Sequence, residues 1–470
     1  MALTAEMPPE KKTTSRQEED RISQLPEEIL LLILSHLSME SAAATTILSK
    51  RWRHLFYFLP CLKIASFYDR GRSSPDSVAR EFATIFDVLR SRRCPLKCCE
   101  LSISFREQFD GDMHRIMHLL CEDGLEDLSI ANYGKDPYRI SSHMFSCRTI
   151  NSLYLYKCSL SAPSDFTGLR SLRTLELDDV VMTDEQFEMM VSGCWALENL
   201  IVYNGYQVKN LVICSRRLSR LEVITHRPLG ILVEEAPCLD SVSVSYSYHE
   251  ADLYWKDVAN TEFYHPEGEI VESDSEDSED SEDEEVSEIN RFLWLLVGLG
   301  HTKTLKLVFD TEAAECLEFQ GLLLVSLPSK HRLIQLKKLD LKMHFNGKYL
   351  ASILVSLLNG SPNLQELTVE IDKFHVYTEI VEADYWDKQI PSECVQNRLK
   401  TATLIFYYRF VEDCIGFPKF LLMNACALEK MSINYTLKKK EKPLFSRFQE
   451  ELFSLQKASP DAVLELTPID

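Results

Sequence analysis

The stretch TDEQFEMMVSGCWALENLIVY, residues 183–203, holds one complete structural unit. Thr183 stands three residues before Gln186, the spacing of a capping box that starts a helix. Phe187, Met190 and Val191 then fall on one helical face. Gly193 ends the helix. Four residues later comes Leu197, which opens the phrase L-x-x-L-x-[LIV] with Leu200 and Val202. Alternation of that kind reads as a strand with one buried face. KYLASILVSLLNG, residues 348–360, repeats the arrangement: Leu350, Ile353, Leu354 and Leu357 point inward, Gly360 is the stop, and Leu364 follows four residues on. Asn424 and Leu428 keep the same offset.

Searching for the phrase alone extends the pattern along the chain. It recurs as Leu125/Leu128/Ile130, Leu172/Leu175/Leu177, Leu218/Leu221/Val223, Leu336/Leu339/Leu341 and Leu364/Leu367/Val369. Looser copies are Ile150/Leu153/Leu155, Leu239/Val242/Val244, Leu399/Ala402/Leu404 and Leu428/Met431/Ile433. The middle residues lie at 128, 153, 175, 200, 221 and 242, and resume near Leu305, then at 339, 367, 402 and 431. Spacings of 21–25 residues in the first series are those of leucine-rich repeats. A strand plus a helix cannot bury its apolar edge alone, so stacked units share one core and build a curved solenoid with a parallel inner sheet. The asparagine or cysteine that usually follows the strand is mostly missing, Cys158 being the exception, so an irregular arc is expected. The gap from 242 to 305 leaves room for one poorly matching unit and a loop.

That loop is marked by composition. Glu272 to Glu288 carries eleven acidic residues and no basic one, which leaves about −10 of the total charge of −21 on the rest. Such a segment cannot form a core and is expected to be disordered, with serines in a context that suits acidophilic kinases. An acidic balance disfavours non-specific nucleic-acid binding. No apolar run reaches the roughly 20 residues of a membrane span, and residues 1–20 lack the order of a secretory signal. A soluble chain with reduced cysteines is expected. Cys94, Cys98 and Cys99 have no partner at zinc-finger spacing and read as small buried residues. Lys438, Lys439, Lys440 and Lys442 read as a solvated turn, with a nuclear signal or a contact to the acidic loop as alternatives.

The N-terminal region poses a different problem. LPEEILLLILSHL, residues 25–37, starts as a helix should, with Pro26 in the first turn and Glu27 and Glu28 at the positive end. It is then apolar nearly all round. Ala42, Ala43, Ala44, Ile47 and Leu48 make a second short helix, and Ser49 begins a third with Trp52, Leu55, Phe56 and Phe58. Three helices in about 40 residues are a very small unit. Each uncovered side chain is worth roughly 1.5–3 kcal/mol when buried. The repeats offer some cover, and a separate protein offers more.

Residues 20–60 resemble the F-box motif, including the Leu25-Pro26 start and the Leu48-Ser49-Lys50-Arg51-Trp52 end. IPSECVQNRLKTATLIFYYRFVEDCIGFPKFLLMNACALEKMSINY, residues 390–435, resembles the FBD domain that follows leucine-rich repeats in plant F-box proteins. It departs from that family at Tyr408-Arg409-Phe410 and Pro418, where glycine and acidic residues are usual. The resemblance implies an α/β chain in six parts: a disordered tail at 1–19, an F-box at 20–62, repeats at 63–260, an acidic loop at 261–289, further repeats at 290–385, and an FBD-type strand–helix–strand cap at 386–470. It implies the substrate-recognition subunit of a Skp–cullin–F-box ubiquitin ligase, in the nucleus or cytoplasm. The F-box would hold a Skp-type adaptor and through it a cullin, and the repeats a protein substrate. An F-box adaptor acting outside ubiquitin ligation is the alternative. Leu25, Pro26, Ile29, Leu30, Ile33, Leu37, Leu48 and Trp52 are the residues that would touch the adaptor or position those that do. The same side chains also suit a core internal to the three helices.

No catalytic constellation competes with this reading. The chain has no phosphate-binding glycine loop, no G-x-S-x-G and no H-E-x-x-H. No cofactor, metal, nucleic acid or membrane is expected. His114 and His118, four apart on one helical face, are the only pair with ligand spacing, and on a Met- and Ile-rich helix they read as structural.

Overall fold

The computed structural model describes residues 22, 24–65, 75–104, 110–122, 124–163, 166–203, 208–225, 229–246, 298–309, 333–343, 348–371, 384–407, 416–437 and 442–469. Fourteen strands lie side by side in one sheet, every neighbouring pair parallel and the spatial order following the chain. The first is Cys61–Ala65 and the last Val463–Pro468. Sheet order that follows chain order, with every crossover on the same side, is what stacked repeats produce.

The repeat phrase sets the register. Leu128, Leu153, Leu175, Leu200, Leu221 and Val242 are Cα partners one after the next. The ladder continues through Leu305, Leu339, Leu367, Ala402 and Met431. Every rung from Leu128 to Met431 is buried. Each N-terminal link is reinforced by a paired backbone contact: the carbonyls of Glu126, Asn151, Arg173, Glu198, Ser219 and Asp240 each accept two amides from the next unit. Val242 pairs directly with Leu305, so the sheet holds no rung between them and the additional unit expected there is absent from it. The acidic run itself, the N-terminal tail, Leu350, and Lys438 to Lys440 lie outside the described side chains.

Three rungs carry no repeat phrase: Leu62, Cys99 and Leu464. Cys99, fully buried, fills a leucine position. At the other end the expected strand–helix–strand cap is longer. Strands Thr401–Phe406 and Lys430–Tyr435 continue the same sheet, a helix Lys442–Ser454 follows, and the last strand completes it. Pro418 lies in the first turn of helix Gly416–Asn424, where its missing N–H has no intrahelical partner to lose.

The far side of the units varies with their length. Helix Asp184–Gly193 has the capping box that the sequence announces: Gln186 N–H donates to Thr183 Oγ1 at 3.3 Å, and Thr183 N–H donates to Gln186 Oε1 at 3.0 Å. Phe187, Met190 and Val191 are buried, as are Ile353, Leu354 and Leu357 in helix Lys348–Gly360. The two 21-residue units are too short for this. They carry strands Asn210–Cys214 and Gly230–Glu235 instead, which pair in parallel as a small second sheet.

Gly193 is the last helical residue rather than a left-handed cap. Its role is close approach. A Cβ on Gly168, whose φ is +92°, would stand 1.7 Å from the Gly193 carbonyl oxygen. Gly168→Ala therefore combines a left-handed backbone with a backbone clash and is expected to cost about 2–4 kcal/mol of unfolding free energy. Chemical denaturation measures this.

Candidate functional site

The N-terminal helices pack on the first strand of the sheet. Helix α1 is Glu27–Ser35, α2 Met39–Ala44 and α3 Lys50–Phe56, with a 3₁₀ turn Thr45–Ile47 after α2. Local sequence explains their ends. Ser38 and Ser49 cap α2 and α3, accepting from the backbone amides of Ser41 at 3.2 Å and Trp52 at 3.3 Å. The Arg51 guanidinium donates to the Leu25 carbonyl at 2.7 Å and stands 3.9 Å from the Glu27 carboxylate, tying α3 to the start of α1.

The greasy first helix divides into two faces. Leu30 and Leu34, four residues apart, are fully buried. They join Met39, Ala42, Trp52, Leu55 and Phe56 in a core continuous with Leu62 and Ile64 of the first strand. The chain thus supplies part of the missing cover itself, and the three helices are not a free-standing unit. On the other face Ile29 is 42%, Leu32 56% and Ile33 40% exposed. Ile47 and Leu48, after α2, are 81% and 66% exposed. Six of the twelve exposed large apolar residues among those described lie between Ile22 and Leu48. Concentration of that kind marks an interaction surface.

The eight residues singled out from the sequence therefore separate. Pro26, Ile29, Ile33 and Leu48 are exposed and able to meet another molecule. Leu25 and Leu37 are half-buried, and Leu30 and Trp52 are core. For Leu30 and Trp52 direct contact is closed off, and they hold α1 and α3 in place. Leu32 and Ile47 escaped sequence reasoning. An all-round apolar helix gives no signal of which side is inward until the strand beneath it is located.

The histidines form a local cluster. His114 Nε2 lies 3.0 Å from His143 Nε2, and its Nδ1 lies 3.0 Å from Ser141 Oγ. His118 Nδ1 is 3.4 Å from a Glu122 carboxylate oxygen. Desolvation, with the charges of His114 and His118, holds His143 below the usual imidazole range. No group of three metal-binding side chains among the described residues is arranged around an ion. The described cysteines are free thiols. Burial, with Cys61 beside it, pushes Cys98 up to about 12, which keeps it protonated and unreactive.

Comparison with known proteins bears on this surface directly. Residues 22–63 match the family model of the F-box domain. Residues 113–254 match the model of the LRR repeats of FBD-associated F-box protein At5g56370. F-box/LRR-repeat protein At3g26922 of Arabidopsis thaliana is 31% identical over 210 residues, covering 44% of this chain and 67% of the relative. The chain belongs to the F-box/FBD/leucine-rich-repeat family. F-box/FBD/LRR-repeat protein At1g13570 of the same plant is 27% identical over 459 residues, 95% of this chain and 98% of the relative. FBD-associated F-box protein At3g52670 is 27% identical over 428 residues, 88% and 89% of the two chains. F-box proteins with repeats are generally non-catalytic adaptors, the F-box binding Skp-type proteins and the repeats binding protein substrates. The exposed apolar side chains of this molecule lie within the matched F-box.

Proposed function

We propose that this chain is the substrate-recognition subunit of a Skp–cullin–F-box ubiquitin ligase. Its F-box docks the Skp-type adaptor, which links it to a cullin, and the repeat sheet holds a protein substrate. One observation carries this: Ile29, Leu32, Ile33, Ile47 and Leu48 are left in water on an F-box whose other apolar residues are buried. A lone chain gains nothing from that exposure, while covering each side chain contributes roughly 1.5–3 kcal/mol. The protein does no chemistry on the substrate. It raises the local concentration of substrate lysines beside a ubiquitin-charged enzyme held elsewhere in the assembly.

The test is proximity labelling in cells with the wild-type chain and an Ile29→Glu/Ile33→Glu variant. Deleting residues 20–60 would uncover the first strand, so point variants are the cleaner choice. Wild type is expected to label adaptor, cullin and a target whose abundance falls. The variant is expected to label the same target, now stable, and neither of the others. Adaptor labelled without cullin would instead favour an adaptor that works outside ubiquitin ligation.

A further inference from the structure

The two halves of the open sheet face, the one turned away from the core, differ in chemistry. In the second half cations and anions balance and pair across or along strands: Lys338 with Asp340, Lys342 with Glu370, Lys430 with Glu465. In the first half they do not. The register brings Glu100, Ser129, Tyr154, Glu176, Ile201 and Glu222 into one row. Two residues further on it aligns Tyr156, Asp178 and Tyr203. The cations next to this region are Lys63, 3.2 Å from Glu100, and Arg220, 2.7 Å from Glu222.

Glu176 and Asp178 therefore lie on one strand, with Tyr154 and Tyr156 on the strand to one side and Tyr203 on the other. Adjacent strands stand roughly 4.8 Å apart and alternate residues roughly 6.7 Å along a strand. Two carboxylates are thus flanked by aromatic rings within reach of one long side chain. Tyr133 extends the wall, its ring 5.6 Å from that of Tyr156. The Tyr154 hydroxyl donates to Asp178 at 3.4 Å. All of these side chains are partly open to solvent. Among the described residues no cation pairs with Glu176. Desolvation and then the charge of Glu222 raise its pKa, the mark of a carboxylate short of positive partners.

We infer that this face receives an extended, arginine- or lysine-bearing segment of the protein substrate, a cationic side chain lying over Glu176 and Asp178 between the rings of Tyr154, Tyr156 and Tyr203. Carboxylates supply charge-assisted hydrogen bonds and the rings supply cation–π attraction. A patch open across four strands suits a peptide better than a small molecule, which favours an enclosed cleft. The inference rests on the proposed function in taking the segment's owner to be the substrate.

The experiment uses the full chain and a fluorescein-labelled peptide of alternating arginine and glycine, read by fluorescence anisotropy. An alternating glutamate–glycine peptide serves as the comparison. Wild type is expected to bind only the basic peptide, and less as salt rises. Glu176→Gln/Asp178→Asn is expected to weaken binding about tenfold or more with an unchanged melting midpoint. Tyr203→Phe is expected to retain binding and Tyr203→Leu to lose it. Asp277→Asn/Glu279→Gln changes net charge equally within the acidic run and is expected to have no effect. Equal weakening by that control, or no weakening by the sheet variants, overturns the inference. So does binding that emerges only after Lys438, Lys439, Lys440 and Lys442 are replaced by glutamine, because the chain would then be covering its own patch. Adaptor capture is measured on the same samples. Capture without peptide binding removes only this inference, and peptide binding without capture removes only the ligase assignment.

Discussion

Replacing Ile29 and Ile33 together with glutamate is expected to weaken capture of a Skp-type adaptor by at least about 100-fold, with little change in folding. The two side chains are 42% and 40% exposed, so the free chain loses no buried contact. Substitutions at exposed positions usually stay within about 0.5 kcal/mol of wild-type stability. In a complex the same positions would place two carboxylates in an apolar interface without partners, at a cost of several kcal/mol. About 2.7 kcal/mol is a factor of 100 in affinity. Leu30→Ala makes the contrast. That side chain is fully buried, and its loss is expected to cost about 2–5 kcal/mol in stability before any effect on binding. Titration calorimetry and thermal melting on both variants separate an interface residue from a core residue.

The largest stability effect is expected in the middle of the ladder. Leu200 is fully buried and partners Leu175 on one side and Leu221 on the other. Leu200→Ala is expected to lower the unfolding free energy by about 2–5 kcal/mol. In a stack where each unit touches only its neighbours, a lesion at the centre also weakens the coupling between the flanking blocks. The denaturation curve is therefore expected to broaden or split as well as shift, and hydrogen exchange is expected to rise fastest in strands Thr174–Asp178 and Arg220–Thr225. Ile201 is the neighbouring residue on the open face, and Ile201→Ala is expected to cost much less, which controls for strand propensity.

The contrast between Leu200 and Ile201 shows what the sequence makes legible. Buried rungs repeat one residue type at one spacing, so their register could be aligned without coordinates, from Leu128 to Met431. The end strands could not, because Cys99 and the Leu62 and Leu464 segments lack the full phrase while filling the same place. Nor could the far side of the short units. Twenty-one residues leave no length for a helix, and the paired strands that replace it have no period of their own in the repeat. Gly193 was found for a reason the structure changes: its need is contact with Gly168, a tertiary fact that local helix rules do not contain.

The docking site was half legible. Eight residues from Leu25 to Trp52 were singled out, and the structure sends Leu30 and Trp52 to the core while exposing Leu32 and Ile47. Which side of an all-apolar helix turns inward depends on where the first strand lies, and that strand bears no signal. The open-face chemistry was not legible either, since Glu176, Asp178 and the tyrosines beside them become neighbours only once five units are in register.

Hydrogen–deuterium exchange of the full chain with and without a purified Skp-type adaptor tests the central claim most directly. Strong added protection in peptides spanning residues 25–48, with the repeat strands unchanged, is the predicted result. Tight association that leaves those peptides unprotected, or no association with an intact fold, would contradict it.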